Sequence, residues 1–294
     1  MPKPVAPKTL TPDNIETPSV ALVPASSGAL AFVGAPEGEM LESMRQHAGL
    51  GLSDRTEDNM MPWVTLLQSN SPICSRENPA HVEGATAGNF WLRESDDPIV
   101  DGHDGLIFQP CASDFDFVEW IPRKKGGGIV NRTKTQPKEA VLTINAEGKS
   151  VWQMPNGNEI VDTRYLIGQV IRDDGRVEPY AWAFSSSHIG FFKRLMAKAH
   201  TYKIGTVQAP LCALAFLVKA EYRQKAGNSW YVPKLVKTMG YCPSQIYQSG
   251  LEIAKSWGAG EIKINEEQME NNEVVDNSGD DGGEKQDSQN PGAF

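Results

Sequence analysis

Tyr165-Leu-Ile-Gly-Gln-Val-Ile-Arg-Asp-Asp-Gly-Arg-Val-Glu-Pro-Tyr-Ala-Trp-Ala-Phe184 is the stretch on which the fold class turns. Two apolar runs flank Asp173-Asp174-Gly175, and Gly175 can supply the positive φ that a short hairpin needs. The leading strand extends back to Glu159, giving Glu159–Arg172 and Val177–Phe184 as a hairpin. A second hairpin is expected where Leu211–Tyr222 meets Trp230–Val236 around Gly227-Asn228. Further strands are expected at Trp63–Gln68, Leu106–Gln109, Phe115–Ile121 and Ala140–Ile144. Between the hairpins Ser187 reads as the cap of a helix with a buried stripe of Ile189, Phe192, Leu195, Met196 and Ala199. Lys193, Arg194 and Lys198 fall off that stripe. Ser244 to Trp257 reads as a helix ending at Gly258, and Glu37 to His47 as a short one. Alternating βα units are absent, which argues against a doubly wound fold. The expectation is a mainly β chain, an OB-like barrel with long loops and a few helices, flanked by disordered termini.

Working outward, the first ~35 residues are punctuated by Pro and show no period. Residues 1–58 are thus expected to be a flexible Pro-rich arm with one short helix, 59–260 the OB-like body, and 261–294 a disordered acidic tail. Only 39% of the 294 residues are apolar, which suits a folded centre with unfolded ends. No apolar run approaches the ~20 residues of a membrane span, and Pro24, Ser26 and Ser27 break the stretch that could pass for a secretory signal. Cys74, Cys111, Cys212 and Cys242 are too scattered for a disulfide scaffold, so a reducing, cytoplasmic setting is expected.

Charge is unevenly placed. The formal net charge is −9, but Glu261–Phe294 alone carries −8, leaving −1 for residues 1–260. Residues 190–240 hold nine Lys/Arg against the single acid Glu221, and residues 120–138 hold Arg123, Lys124, Lys125, Arg132, Lys134 and Lys138 with no acid. Two basic regions in a neutral body before an acidic tail suggest a polyanion site, although any one cluster also reads as a solvated face.

Enzyme signatures are missing: there is no phosphate-binding Gly-x-x-x-x-Gly-Lys loop, no His-Glu-x-x-His, no Gly-x-Ser-x-Gly and no Cys-x-x-Cys. Asp104, Asp114, Asp116, Glu147 and Lys149 form a loose nuclease-like pattern. It is a permissive one, and Glu147-Gly148-Lys149 reads as a turn. Asp114 and Asp116 alternate with Phe115 and Phe117, as on a strand with one wet face. No cofactor is implied.

Glu119-Trp-Ile-Pro-Arg-Lys-Lys-Gly-Gly-Gly128 says more. Three cations follow a strand end, and three glycines then bare the backbone to a phosphate chain. Trp120 beside Arg123, Lys124 and Lys125 supplies the aromatic-plus-cation pairing that single strands use, and it reads equally well as a core ring. The pairing recurs where Lys219, Tyr222, Arg223 and Lys225 face Trp230, Tyr231 and Lys234. Arg132, Lys134 and Lys193 are the remaining candidate contacts. The stripe Tyr180, Trp182 and Phe184 reads as core.

The tail ends Asp-Ser-Gln-Asn-Pro-Gly-Ala-Phe294, a lone aromatic after a charged tether. With the Glu119–Gly128 stretch, it resembles phage and bacterial single-stranded DNA-binding proteins. That resemblance implies an OB-fold core, sequence-tolerant binding without catalysis, and a role in DNA replication or recombination in the host cytoplasm. It also implies that Asp280, Asp281, Glu284, Asp287 and Phe294 recruit replication or recombination proteins, and that the tail competes with DNA for the basic groove. Homo-oligomerisation stays open. The chain departs from the pattern in lacking acids immediately before Phe294 and in its Pro-rich arm. The alternatives are a metal-dependent nuclease and a phage structural or adaptor protein.

Overall fold

The computed structural model describes residues 38–47, 60–122, 125–144, 150–225 and 227–264. The chain divides into a unit spanning Met1–Leu52 and a unit spanning Ser53–Phe294. In the first, the described part is helix α1 (Gly38–Gln46), with Glu39 in the first turn, where a carboxylate suits the helix dipole. The expected Pro-rich arm up to residue 37 and the chain beyond residue 264 lie outside the described residues.

The second unit is mainly β. In chain order its strands are β1 (Met60–Met61), β2 (Val64–Leu66), β3 (Phe90–Leu92), β4 (Ile99–Val100), β5 (Leu106–Trp120), β6 (Ile129–Thr133), β7 (Val141–Ile144), β8 (Ser150–Gln153), β9 (Glu159–Ile171), β10 (Val177–Phe184), β11 (Lys203–Ile204), β12 (Val207–Gln208), β13 (Leu214–Lys225), β14 (Asn228–Tyr241) and β15 (Lys263–Ile264). Its α-helices are α2 (Ile189–Ala199) and α3 (Ser244–Ala259).

Two long strands form a spine. β5 and β9 pair antiparallel from Ile107↔Ile171 to Trp120↔Glu159. At one end β13 joins β5 over Leu106–Phe108, β14 joins β13, and β10 joins β9. At the other end β6 joins β5, while β8 and then β7 extend from β9. The result is one eight-stranded sheet that forks at both ends. The mainly β body with few helices is as the sequence indicates. Among the described residues no pairing joins the outer strands into the closed ring of a barrel.

The sequence suggests two strands where β5 is one, because Pro110 cannot donate to a ladder. A bulge resolves the conflict: the register shifts between Pro110 and Ala112, leaving Pro110 opposite Gly168. Gly168 is required there, since a Cβ would collide with the Gln109 carbonyl oxygen.

Alternation then sorts the side chains. One face buries Leu106, Phe108, Leu166, Val170, Phe216 and Val218 against β2, β3 and α2. The β10 stripe lies here, with Trp182 5.0 Å from Phe184 and 5.6 Å from both Phe108 and Phe191, ring centre to ring centre. Those aromatics are core, as read. On the opposite face Val118, Tyr165, Ile167 and Ala181 pack with Met61, Trp63 and, from α3, Ile253 and Trp257. Ile262 and Ile264 pack there too, and β15 pairs in parallel with β1, so the first residues of the expected tail belong to the folded unit.

Both helix ends differ from expectation. Ser187 falls in a 3-10 turn (Ser186–His188), its hydroxyl has no partner among the described residues, and His188 takes the N-cap position of α2. The turn shifts the helix phase so that Phe191, Leu195 and Ala199 are the buried residues. α3 continues through Gly258 and stops at Gly260, whose φ of +74° is left-handed.

Candidate nucleic-acid interface

Past Val218, β13 leaves β5 and continues with β14 as a two-stranded ribbon, turning at Gly227 with a φ of +85°. Residues directly opposite each other share a face. The pairs Lys219↔Lys234, Glu221↔Val232, Arg223↔Trp230 and Lys225↔Asn228 therefore bring Lys219, Arg223, Lys225, Lys234 and Trp230 together on one face. Tyr222 is not among them: it lies opposite Tyr231 on the other face, the rings 5.5 Å apart edge to face. Glu221 sits amid the cations, accepting from Lys234 Nζ at 2.6 Å and Arg223 Nη2 at 3.3 Å. The Lys234 hydrogen bond is the main reason its carboxyl is held below the ordinary range. Trp230 is half-buried, and its indole N–H has no partner among the described residues.

The second basic region lies where β5 turns into β6. Arg123 and Lys124 lie outside the described residues. Lys125 is exposed, its Nζ 3.5 Å from the Asn156 carbonyl on the β8–β9 turn. The buried Glu119 fastens the strand to that turn, accepting from Asn156 Nδ2 at 3.1 Å and Asn158 Nδ2 at 2.6 Å. Trp120 pairs with Ile129 and packs on the second core, so much of its ring is committed. Arg132 lies opposite Val118. Lys134 is held by Asp114 at 2.8 Å and Asp116 at 2.9 Å.

That clasp bears on the nuclease pattern, since the two carboxylates are already paired with a cation. Asp104 precedes β5, twelve residues before Asp116 and so about 40 Å away along extended chain. Glu147 and Lys149 lie outside the described residues. Among the described residues no group of His, Cys, Asp and Glu is placed to hold a metal ion. Burial raises the Cys111 thiol, and the Cys242 thiol to about 11, which keeps both protonated.

Asp114, Phe115, Asp116 and Phe117 are all half-buried, so neither side of this stretch is fully wet. Asp114 and Asp116 share a face with Val118 and the second core, while Phe115 and Phe117 point the other way. Arg164 lies 5.0 Å over the Phe115 ring, and Trp152 of β8, 40% exposed, shares this face through Ile160 and Glu119. The Asp-Phe-Asp-Phe alternation signalled this aromatic face but not Arg164 and Trp152, which join it only through the β5–β9–β8 register. Lys193 is exposed on α2.

The two basic regions do not converge. β13 meets β5 at Leu106–Phe108 and β6 meets it at Phe117–Trp120, about 30 Å apart along the strand. The ribbon then runs on past Leu106, away from β6. Among the described contacts, Lys125, Arg132 and Lys134 therefore lie toward one end of the sheet, and Lys219, Arg223, Lys225, Trp230 and Lys234 toward the other.

Fold and surface together define a mainly β protein that presents open strand faces. The family model for the Pam3 phage gp34-like protein matches residues 35–263, and the chain belongs to that phage family. No curated protein and no solved structure matches it. Among the described residues no helix is long and apolar enough to cross a membrane.

Proposed function

We propose that this phage protein binds single-stranded DNA without sequence preference and without catalysis, acting in replication or recombination. One observation supports the reading above the others: the β13–β14 ribbon groups Lys219, Arg223, Lys225 and Lys234 around Trp230 on one face. Cations neutralise successive phosphates while an aromatic ring offers a stacking surface that any base can use. Lys125 and Arg132 at the far end, with Arg123 and Lys124 next to them in sequence, would hold a second stretch of the same strand. The acids Asp280, Asp281, Glu284 and Asp287 with Phe294 would recruit partner proteins and compete for the cations.

The test is a titration of tryptophan fluorescence with oligo-dT at two salt concentrations, comparing wild type with the double variant Lys219→Gln/Lys225→Gln. The variant is expected to bind roughly tenfold more weakly at ~50 mM salt, and its log–log salt slope to shrink by about 1.4, near 0.7 for each lost phosphate contact on a single strand. A wild-type protein that binds no oligonucleotide at ~50 mM salt would overturn the proposal and favour a structural or adaptor role.

A further inference from the structure

The sheet's outer strands are not equally defended. β14 carries Pro233, Lys234 and Lys237, and it bulges at Val236 and Met239, where its register with β13 shifts. The Gln68 side chain also occupies its outer backbone, donating to the Tyr231 carbonyl at 3.0 Å and accepting from the Tyr231 N–H at 2.8 Å. β10 is covered at Ala181 by the Pro62–Trp63 segment, and β6 carries Arg132 and a bulge opposite Glu119–Trp120. These are the usual devices that keep an edge from pairing with another chain.

β7 has none of them. Val141-Leu-Thr-Ile144 pairs in unbroken register with β8 on one side and with no described strand on the other. It contains no charge, proline or glycine, and it is strongly exposed: Val141 65%, Leu142 55% and Ile144 71%. Leu142 lies opposite Trp152, so Leu142, Ile144 and Trp152 make one apolar face at the margin of the sheet.

We propose that β7 pairs with β7 of a second copy of this chain, antiparallel about a two-fold axis through Thr143. Symmetry and composition select that occupant. An axis perpendicular to the sheet keeps like faces together, so Leu142 lies against Ile144 of the second copy, Ile144 against its Leu142, and Thr143 against its own counterpart. Both contacts are favourable cross-strand types, and an isologous interface requires such self-matching. With no charge in the strand, no like charges meet; the same operation on β14 would bring lysines together. The exposed side chains of Leu142, Ile144 and Trp152 amount to something on the order of 300 Å² per copy, so the pair buries at most about 600 Å² of side chain, below the ~1,200 Å² of standard complexes. The dimer is therefore weak and reversible, and it joins two eight-stranded sheets edge to edge. The inference rests on the topology, exposure and composition of β7 and stands or falls separately from the DNA-binding reading.

Sedimentation velocity of the full chain from about 5 to about 200 µM, a span suited to a weak complex, is the primary test. Mass should rise from monomer toward dimer with concentration. L142K/I144K and L142E/I144E should each stay monomeric, and an equimolar mixture of the two should associate again, because the register sets position 142 against position 144. Hydrogen–deuterium exchange on the wild type needs no variant: amides of residues 141–144 should exchange more slowly at the high concentration than at the low one. A wild type that stays monomeric throughout, with exchange in β7 independent of concentration, would overturn self-pairing and leave the edge to a strand from another protein. Charge variants that dimerise like the wild type, or a mixture that stays monomeric, would overturn this register and interface.

Discussion

Glu221 is the residue on which the ribbon's electrostatics turn. It ties up Lys234 and Arg223, both at least one-third exposed, so the pairs contribute little to stability. Their effect on binding is larger, because two cations that could meet phosphates are bound to a carboxylate. Glu221→Gln is expected to raise oligonucleotide affinity several-fold at low salt and to steepen the salt slope by about 0.7 for each cation that then engages a phosphate. Since the folded carboxyl is held below its ordinary value, it stays ionised down through that range, and any stability it gives is lost only on further acidification. The gain from the substitution should therefore be equal at about pH 5.5 and about pH 8, measured by the same fluorescence titration. An affinity that falls on substitution would mean that Glu221 positions the cations rather than masking them. The sequence displayed Glu221 as the single acid between residues 190 and 240, yet its partners depended on a register that turn residues alone could not set.

At the scale of the element, α3 docks on the spine through a polar seam as well as apolar contacts. Gln109 and Gln169, both buried, bond to one another; each also donates to the Ile246 carbonyl of α3, at 3.3 and 3.2 Å, and Ser249 Oγ donates to Gln169 at 2.9 Å. Gly250 lies directly over them: a Cβ there would come within 2.6 Å of Gln109 Nε2 and 3.1 Å of Cys111 Sγ. Gly250→Leu should thus force α3 off the sheet, at a cost of roughly 1–3 kcal/mol for overpacking and as much again if the glutamine amides lose their partners. Urea denaturation would measure it, and an unchanged midpoint would show that the helix contributes little to the fold. The α3 segment itself was legible from Ser244 onward, with Gly258 read as its stop two residues before the actual cap at Gly260. The polar seam was not, because nothing in the spacing of Gln109, Gln169 and Ser249 says that they meet. The continuity of β5 was hidden for a related reason, a proline that reads as a break until Gly168 is known to lie opposite it.

Over the whole molecule, the hairpins and the apolar stripe of β10 were readable because turn chemistry and two-residue alternation are local. The spread of the basic residues was not, since it depends on β13 and β6 joining opposite ends of one strand, a long-range choice without a local signature. The same geometry sharpens the expectation for the acidic segment. Residues 265–294 carry nine acids and one lysine, a net charge of −8, while Glu261–Ile264 belong to the folded unit. Deleting 265–294 and sparing β15 should raise oligonucleotide affinity and steepen its salt dependence, if the segment occupies the cations when DNA is absent. Unchanged or weaker binding by the shortened chain would remove that competition from the account. Pro110 against Gly168 has a reach beyond its own contact. Because β5 and β9 serve both ends of the sheet, sliding one past the other by a single position would turn the outer surface inward at each end together. One bulge thus acts as the common datum from which two distant surfaces are aligned.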